Sequence, residues 1–248
     1  PPLAAALGAA LACRCVPCLA GTGAKDMEWT SGAADSAAFW DGMYRLQAAH
    51  GRSSYEWYGL GFEQLRGPLR RLLPAGAPVL VAGSGDSELS AELAAQGWRT
   101  TSIDFSPQVT EHMRRRHPDL EFLTMDARNM SFASGHFGGA VDKGLSDCLG
   151  TARARRRYFQ EVRRVLRGGG ALVVVSQTPL EAPQDLGSGW ACEPRSELMG
   201  PLFMDEDPTQ PAKPLPGTAG QIPYYLLACL KEPSEPGPDS QECASVEK

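Results

Sequence analysis

Residues 78–90 read Pro-Val-Leu-Val-Ala-Gly-Ser-Gly-Asp-Ser-Glu-Leu-Ser, and this stretch decides the fold. Val79 to Ala82 is apolar without alternation, as expected of a strand buried on both faces. It ends at Gly83-Ser84-Gly85, and a helix follows from Asp86 or Ser87 to Gln96. Asp86 and Ser87 are good caps, Leu89 and Leu93 share one helical face, and Gly97 is a stop signal. Strand, glycine turn and helix together make the first half of a βαβ unit.

The same grammar continues downstream. Arg99 to Ile103 reads as a second strand, and Ser106-Pro107 opens a helix to Arg116 as cap and first-turn proline. Leu120 to Thr124, Phe137 to Val141 and Ala171 to Ser176 read as three more strands. Between the last two lies an arginine-rich helix, Ala152 to Leu166, with an apolar stripe at Tyr158, Phe159, Val162 and Val165, broken by Gly168 to Gly170. Its arginines are expected on a solvated face, with docking of an acidic protein as the alternative. Ile222 to Lys231 reads as a last buried strand with Pro223 at its start or on an edge. Strands alternating with helices predict an α/β fold, a doubly wound and mostly parallel sheet with helices on both faces.

Composition narrows the function. The 248 residues are 42% hydrophobic, enough for an ordinary α/β core. A net charge of −5 argues against nucleic acid or an anionic membrane as the main partner. Seven cysteines are too few for a disulfide scaffold and suit a reducing compartment. Residues 1–24 hold Arg14 as their only charge and read as a targeting segment, open between a secretory and a mitochondrial signal, with the mitochondrial matrix preferred. The run is interrupted by Arg14 and Pro17, so no membrane insertion is expected. Cys13, Cys15 and Cys18 lack a fourth ligand nearby, and no metal site is expected. The chain then divides into 25–77, an N-terminal helical or lid segment; 78–232, the α/β domain with a Pro-rich insertion at 204–220; and 233–248, a disordered tail.

Gly83-x-Gly85 alone serves nicotinamide, flavin and adenosyl cofactors alike. The dinucleotide fingerprint wants a third glycine where this chain has Glu88, and Asp86 adds a second carboxylate at the helix start, where a pyrophosphate would have to sit. A phosphate-free cofactor, S-adenosylmethionine, fits better. Asp104, at the end of the second strand, is placed for the ribose hydroxyls, with Phe105 beside it. Its other reading is a neighbour of the Ser106 cap. Asp126, before Ala127, ends the third strand where it can accept from an adenine amino group, an Asx turn being the alternative. Asp142 ends the fourth strand and is expected to face the reactive end of the crevice, an ion pair with a basic helix being the alternative.

The runs Gly83 to Ser90, Asp104-Phe105-Ser106-Pro107, Met125 to Asn129 and Asp142-Lys143-Gly144, with Phe39-Trp40-Asp41 and Tyr55-Glu56-Trp57-Tyr58 upstream, resemble the class I, seven-stranded methyltransferase-like lysine methyltransferases. The resemblance spans about Phe39 to Lys231. Within that family it leans toward the branch acting on mitochondrial citrate synthase, through His112-Met113 and the ending Gly187-Ser188-Gly189-Trp190. The branch acting on elongation factor 1A shares the Gly83 to Ser90 pattern at least as well. The resemblance implies a Rossmann-like fold, S-adenosylmethionine held by Gly83, Ser84, Gly85, Asp104, Phe105, Asp126 and Ala127, and a protein substrate. Trp40, Tyr55, Trp57 and Tyr58 are expected to receive the target lysine as a lid, core packing being equally open to them. Asp142 is expected to capture and aim the lysine, and Asp147 to help its proton leave. The chain departs from the pattern at Ser84, Val81 and Leu145, the last replacing a threonine. That change makes a catalytically silent binding module the competing reading.

Overall fold

The computed structural model describes residues 36–49, 51, 54–182, 184–201 and 221–233. The targeting segment, the Cys13, Cys15 and Cys18 cluster, the 204–220 insertion and the 234–248 tail lie outside the described residues.

The sheet carries β1 (Pro78–Ala82), β2 (Arg99–Asp104), β3 (Glu121–Thr124), β4 (Phe137–Lys143), β5 (Leu166–Ser176), β6 (Trp190–Cys192), β7 (Ser196–Pro201) and β8 (Gln221–Lys231). Their order is β3-β2-β1-β4-β5-β8-β6, with β7 also on β8. β1 to β5 pair in parallel, and β8 runs antiparallel between β5 and the far edge. β6 pairs residues 229–231 of β8 and β7 pairs 221–226, so the two short strands divide one edge. The break falls at Pro194, which has no N–H to give a ladder. Among the described residues eight strands therefore occupy seven positions, where seven strands were expected.

The buried alternation of β1 sorts the helices. Val79 and Val81 pack with α2 (Phe62–Leu72) and α3 (Leu89–Ala95), through Leu65, Leu69, Leu89 and Leu93. Leu80 and Ala82 pack on the other face with α6 (Ala152–Val165), through Tyr158, Phe159, Val162 and Val165. A third cluster joins Trp40, Met43 and Tyr44 of α1 (Ala37–Ala49) to Val109 and Met113 of α4 (Pro107–Arg116). α4 begins as its sequence dictates: the Ser106 hydroxyl accepts from Val109 N at 3.3 Å and Pro107 takes the first turn. A short α5 (Leu145–Cys148) follows β4, and a 3-10 turn covers Trp57–Gly59.

Several expectations need correction. α3 starts at Leu89, later than predicted, because the Ser87 hydroxyl accepts from Leu89 N at 3.1 Å from outside the helix. The glycines after α6 do not form a loop; β5 starts at Leu166 and runs through them, with a register shift opposite Phe137 and Gly139. Pro223, by contrast, stands near the start of β8 as expected, beyond the β5 pairing that begins at Tyr225, where its missing N–H is tolerated. Cys192 and Cys229, cross-strand partners in β6 and β8, form a disulfide, whereas scattered unpaired thiols were expected. The α6 arginines are also less free than a solvated face implies: Arg164 ion-pairs with Glu161 and donates to the carbonyls of Met130 and Phe132. Among the described residues no helix is long and apolar enough to cross a membrane.

Candidate active site

The strand order reverses between β1 and β4, and a cleft of about 690 Å³ opens there, outside the carboxyl ends of the parallel strands. Gly83, at the tip of β1, lines it with φ +61°, and a Cβ there would stand 2.8 Å from that of Leu145. Gly85, φ +53°, would bring a Cβ to 2.9 Å from the Tyr44 hydroxyl. Both positions exclude side chains, by backbone conformation and by space.

On the β2 and β3 side the cleft is lined by Asp104, Phe105, Asp126 and Ala127. The Asp104 carboxylate accepts from Gly85 N at 3.1 Å and from Ser106 N at 3.0 Å, so it braces the glycine turn. Burial pushes its pKa up to about 6 against those two amides. Each oxygen keeps a lone pair for a further donor. Asp126 accepts from the Arg128 backbone N–H at 2.8 Å and pairs with the Arg128 guanidinium at 2.9 Å. That is the Asx-turn reading, and it leaves the carboxylate at the cleft but already engaged.

The two expected catalytic carboxylates do not line the cleft. Asp142 is fully buried; one oxygen accepts from Leu145 N at 2.8 Å and the other from Ser146 N at 3.2 Å. Strand parity explains this: Asp142 follows Ala140 toward the α6 face, where burial, Asp147 and the neighbouring Tyr158 surround it. Its pKa rises to about 7, chiefly through burial. Asp147 accepts from Tyr58 Oη at 2.6 Å, Ser176 Oγ at 2.5 Å and Gln177 N at 2.8 Å, and burial raises its pKa too. Both hold the loop after β4 in place and neither is among the cleft-lining residues.

The aromatic residues divide similarly. Trp40 and Trp57 line the cleft, edge to face with ring centroids 5.8 Å apart. Tyr55 stands outside it, edge-on to Trp57 at 5.1 Å. Tyr58 is 3% exposed and stacks on Tyr224 at 4.6 Å, so it belongs to the core. Its φ of +65° is costly for a tyrosine, and the Asp147 hydrogen bond helps to hold it there. Ser84 is buried with its hydroxyl unpartnered among the described residues, and only its backbone stands at the turn.

Sequence reasoning missed Tyr44, Lys143 and Leu145 as lining residues. Tyr44 was legible as the residue one helical turn after Trp40. Lys143 faces away from Asp142 by the same strand parity; its Nζ donates to Leu60 O at 3.1 Å and to Ser87 Oγ at 3.2 Å and pairs with Glu56. Burial pushes its pKa down, while the Glu56 carboxylate works the other way. Among the described residues no three His, Cys, Asp or Glu side chains group as a metal site.

Residues 79–170 match the family model described as methyltransferase domain. The chain is 36% identical over 208 residues to the eEF1A lysine and N-terminal methyltransferase of Danio rerio, which covers 79% of this chain and 28% of that protein. It is 38% identical over 115 residues to EEF1A lysine methyltransferase 4 of Mus musculus, covering 45% of this chain and 44% of that one. The chain thus spans less than half the length of either relative. A solved SAM-dependent methyltransferase from Methanosarcina mazei superposes with a TM-score of 0.52 at 16% identity, over 68% of this chain and 98% of that one. In fold, the chain is Rossmann-like in the manner of the SAM-dependent methyltransferases, and residues 79–170, from β1 through β4 to the start of β5, carry the sequence signature of a methyltransferase domain.

Proposed function

We propose that the chain is an S-adenosylmethionine-dependent protein-lysine N-methyltransferase whose substrate is elongation factor 1A. The observation that carries the reading is the line of groups along the cleft: Ala127 and Asp126 over β3, Asp104 over β2, bare glycine over β1, and tryptophans over the mouth. Asp104 suits two ribose hydroxyls, because a carboxylate raised to about 6 by burial gains from each new donor. At the start of α3 stand Glu88, ion-paired with Arg116, and the buried Asp86, so carboxylate side chains and not a third glycine occupy the turn where a dinucleotide's pyrophosphate would need open backbone.

When bound, the cofactor supplies an electrophilic methyl on a sulfonium. The protein's part is alignment and exclusion of water. Gly83 lets the ligand lie against the backbone, and Trp40 with Trp57 walls the approach of a lysine chain and desolvates its ammonium, which lowers a pKa of about 10.4 toward neutrality. Asp142 and Asp147 fix the loop carrying Gly144 and Leu145, which line the cleft. With both carboxylates engaged, the proton leaves to water.

Elongation factor 1A is preferred to citrate synthase because the relatives are named for it. The test is methyl transfer from radiolabelled S-adenosylmethionine to purified elongation factor 1A and citrate synthase side by side. Label on a lysine of the former is expected. Label on citrate synthase alone would move the substrate, and S-adenosylhomocysteine binding without transfer to either would favour the silent module that Leu145 suggests.

A further inference from the structure

The adenosine half of the ligand is placed over β3 and β2, so the amino-acid half must extend the other way, over β1 and β4. β1 has no charge to meet it: Val79 to Ala82 are buried and apolar, and Gly83 has no side chain. Among the described residues, the carboxylates near that end are few. Asp142 and Asp147 are buried and engaged by amides and hydroxyls; neither Asp86 nor Glu56 is itself among the cleft-lining residues, and Asp86, with one oxygen unpartnered among the described residues, is buried where the Glu56 side chain is 29% exposed. Glu56 differs from them. It stands in the N-terminal segment between Tyr55 and the cleft-lining Trp57, whose indole Nε1 lies 3.7 Å from where a Gly85 Cβ would be.

Glu56 is also held as a binding group should be. Ser87 Oγ donates to both its oxygens at 3.0 Å, and Lys143, which lines the cleft opposite the glycine turn, pairs with it. The Lys143 side chain is 5% exposed and that of Glu56 29%, so the cation is the buried anchor and the carboxylate the accessible partner. Lys143 has three protons and three acceptors, namely Leu60 O, Ser87 Oγ and Glu56, and is satisfied. Glu56 has about four acceptor sites and fills only part of them.

We propose that Glu56 receives the α-ammonium of the adenosyl cofactor's amino-acid tail, with Lys143 and Ser87 as positioning residues that aim it. The acid for the tail then comes from the N-terminal segment and not from the sheet, so this segment is part of the cofactor site as well as its cover. The inference rests on the adenosyl-cofactor reading. Calorimetric titration separates the two. Binding of 5′-methylthioadenosine, which has no tail, tests the adenosine site alone; if the parent binds neither it nor S-adenosylhomocysteine, the cofactor reading itself fails. Given that binding, Glu56→Gln is expected to weaken S-adenosylhomocysteine by about tenfold or more and leave methylthioadenosine within about twofold. An equal loss for both ligands, or no loss for either, overturns the proposal. Should Glu56→Gln fail to fold, the parent chain gives the answer: it is expected to prefer S-adenosylhomocysteine over its deaminated analogue by a similar factor, and equal affinity for the two overturns the role of Glu56.

Discussion

Replacing Asp104 by asparagine should weaken cofactor binding strongly while leaving stability at pH 8 nearly unchanged. The carboxylate accepts from Gly85 N and Ser106 N and is 7% exposed, and burial pushes its pKa up to about 6, from 3.8 for an ordinary aspartate. Because the folded-state value is raised, the folded protein holds this proton more tightly than the unfolded chain. Its contribution to stability is therefore full below about pH 4 and is lost as pH rises toward 6 and above. About two units correspond to roughly 3 kcal/mol, an order-of-magnitude cost of keeping the buried carboxylate ionised at pH 8. Asparagine removes that cost and loses one acceptor for a backbone amide, worth about 1–3 kcal/mol when left unmade. Melting at pH 8 should thus change little, and the fall in melting temperature between pH 4 and pH 7 should be shallower than in the parent. Ligand binding should respond differently: two ribose hydroxyls lose a charged acceptor, about 1.5–3 kcal/mol each, so affinity should drop by a hundredfold or so. Titration calorimetry with S-adenosylhomocysteine at pH 8, beside a melting curve, reads both quantities. Parent-like affinity in a folded Asp104→Asn protein would refute the ribose assignment. A collapse of stability at pH 8 would refute the account of its raised pKa.

Gly83→Ala combines φ +61° with a Cβ 2.8 Å from that of Leu145, so it should lower the melting temperature by several degrees and abolish S-adenosylhomocysteine binding, read by the same two assays. Tyr58→Phe leaves the buried Asp147 without one of its donors, which should cost about 1–3 kcal/mol in denaturant unfolding and raise KM for the protein substrate more than the cofactor Kd. Asp142→Asn should lower melting temperature, cofactor affinity and turnover together, because an NH2 in place of Oδ2 cannot accept from Ser146 N and leaves it only the longer 3.4 Å bond to Oδ1; lost turnover with unchanged stability and affinity would restore a direct catalytic role.

Much of this was legible in the sequence, for physical reasons. Apolar runs bounded by glycine, as at Val79 to Gly83, admit few readings other than a buried strand, and Ser106-Pro107 is a helix start with its cap and its fixed φ side by side. The residues at the ends of β2 and β3 line the cleft because strand ends in a parallel sheet meet the crevice by topology alone. What failed was direction. A residue at the end of β4 reaches either the cleft or the α6 face according to strand parity, and nothing in Val141-Asp142-Lys143 says which one the sheet will choose, so Asp142 was read where Lys143 stands. For the N-terminal segment the sequence left lid and core equally open, and the structure divides it, Trp40 and Trp57 at the cleft and Tyr58 in the core. Its path depends on Tyr58 in a left-handed conformation that only the tertiary contacts with Asp147 and Tyr224 maintain, and propensity carries no trace of that. β6 and β7 had no counterpart in the sequence reading, because three- and six-residue edge strands on either side of Pro194 carry too short a pattern to stand out.

The central claim, methyl transfer to lysine of a folded protein, is tested most directly by peptide mass spectrometry of elongation factor 1A after incubation with the chain and S-adenosylmethionine, with the Asp104→Asn protein as the matched control. The account predicts a lysine whose mass rises by one or more methyl groups with the parent chain and not with the variant. A parent chain that binds S-adenosylhomocysteine yet leaves every lysine of elongation factor 1A and of citrate synthase unmodified would contradict it.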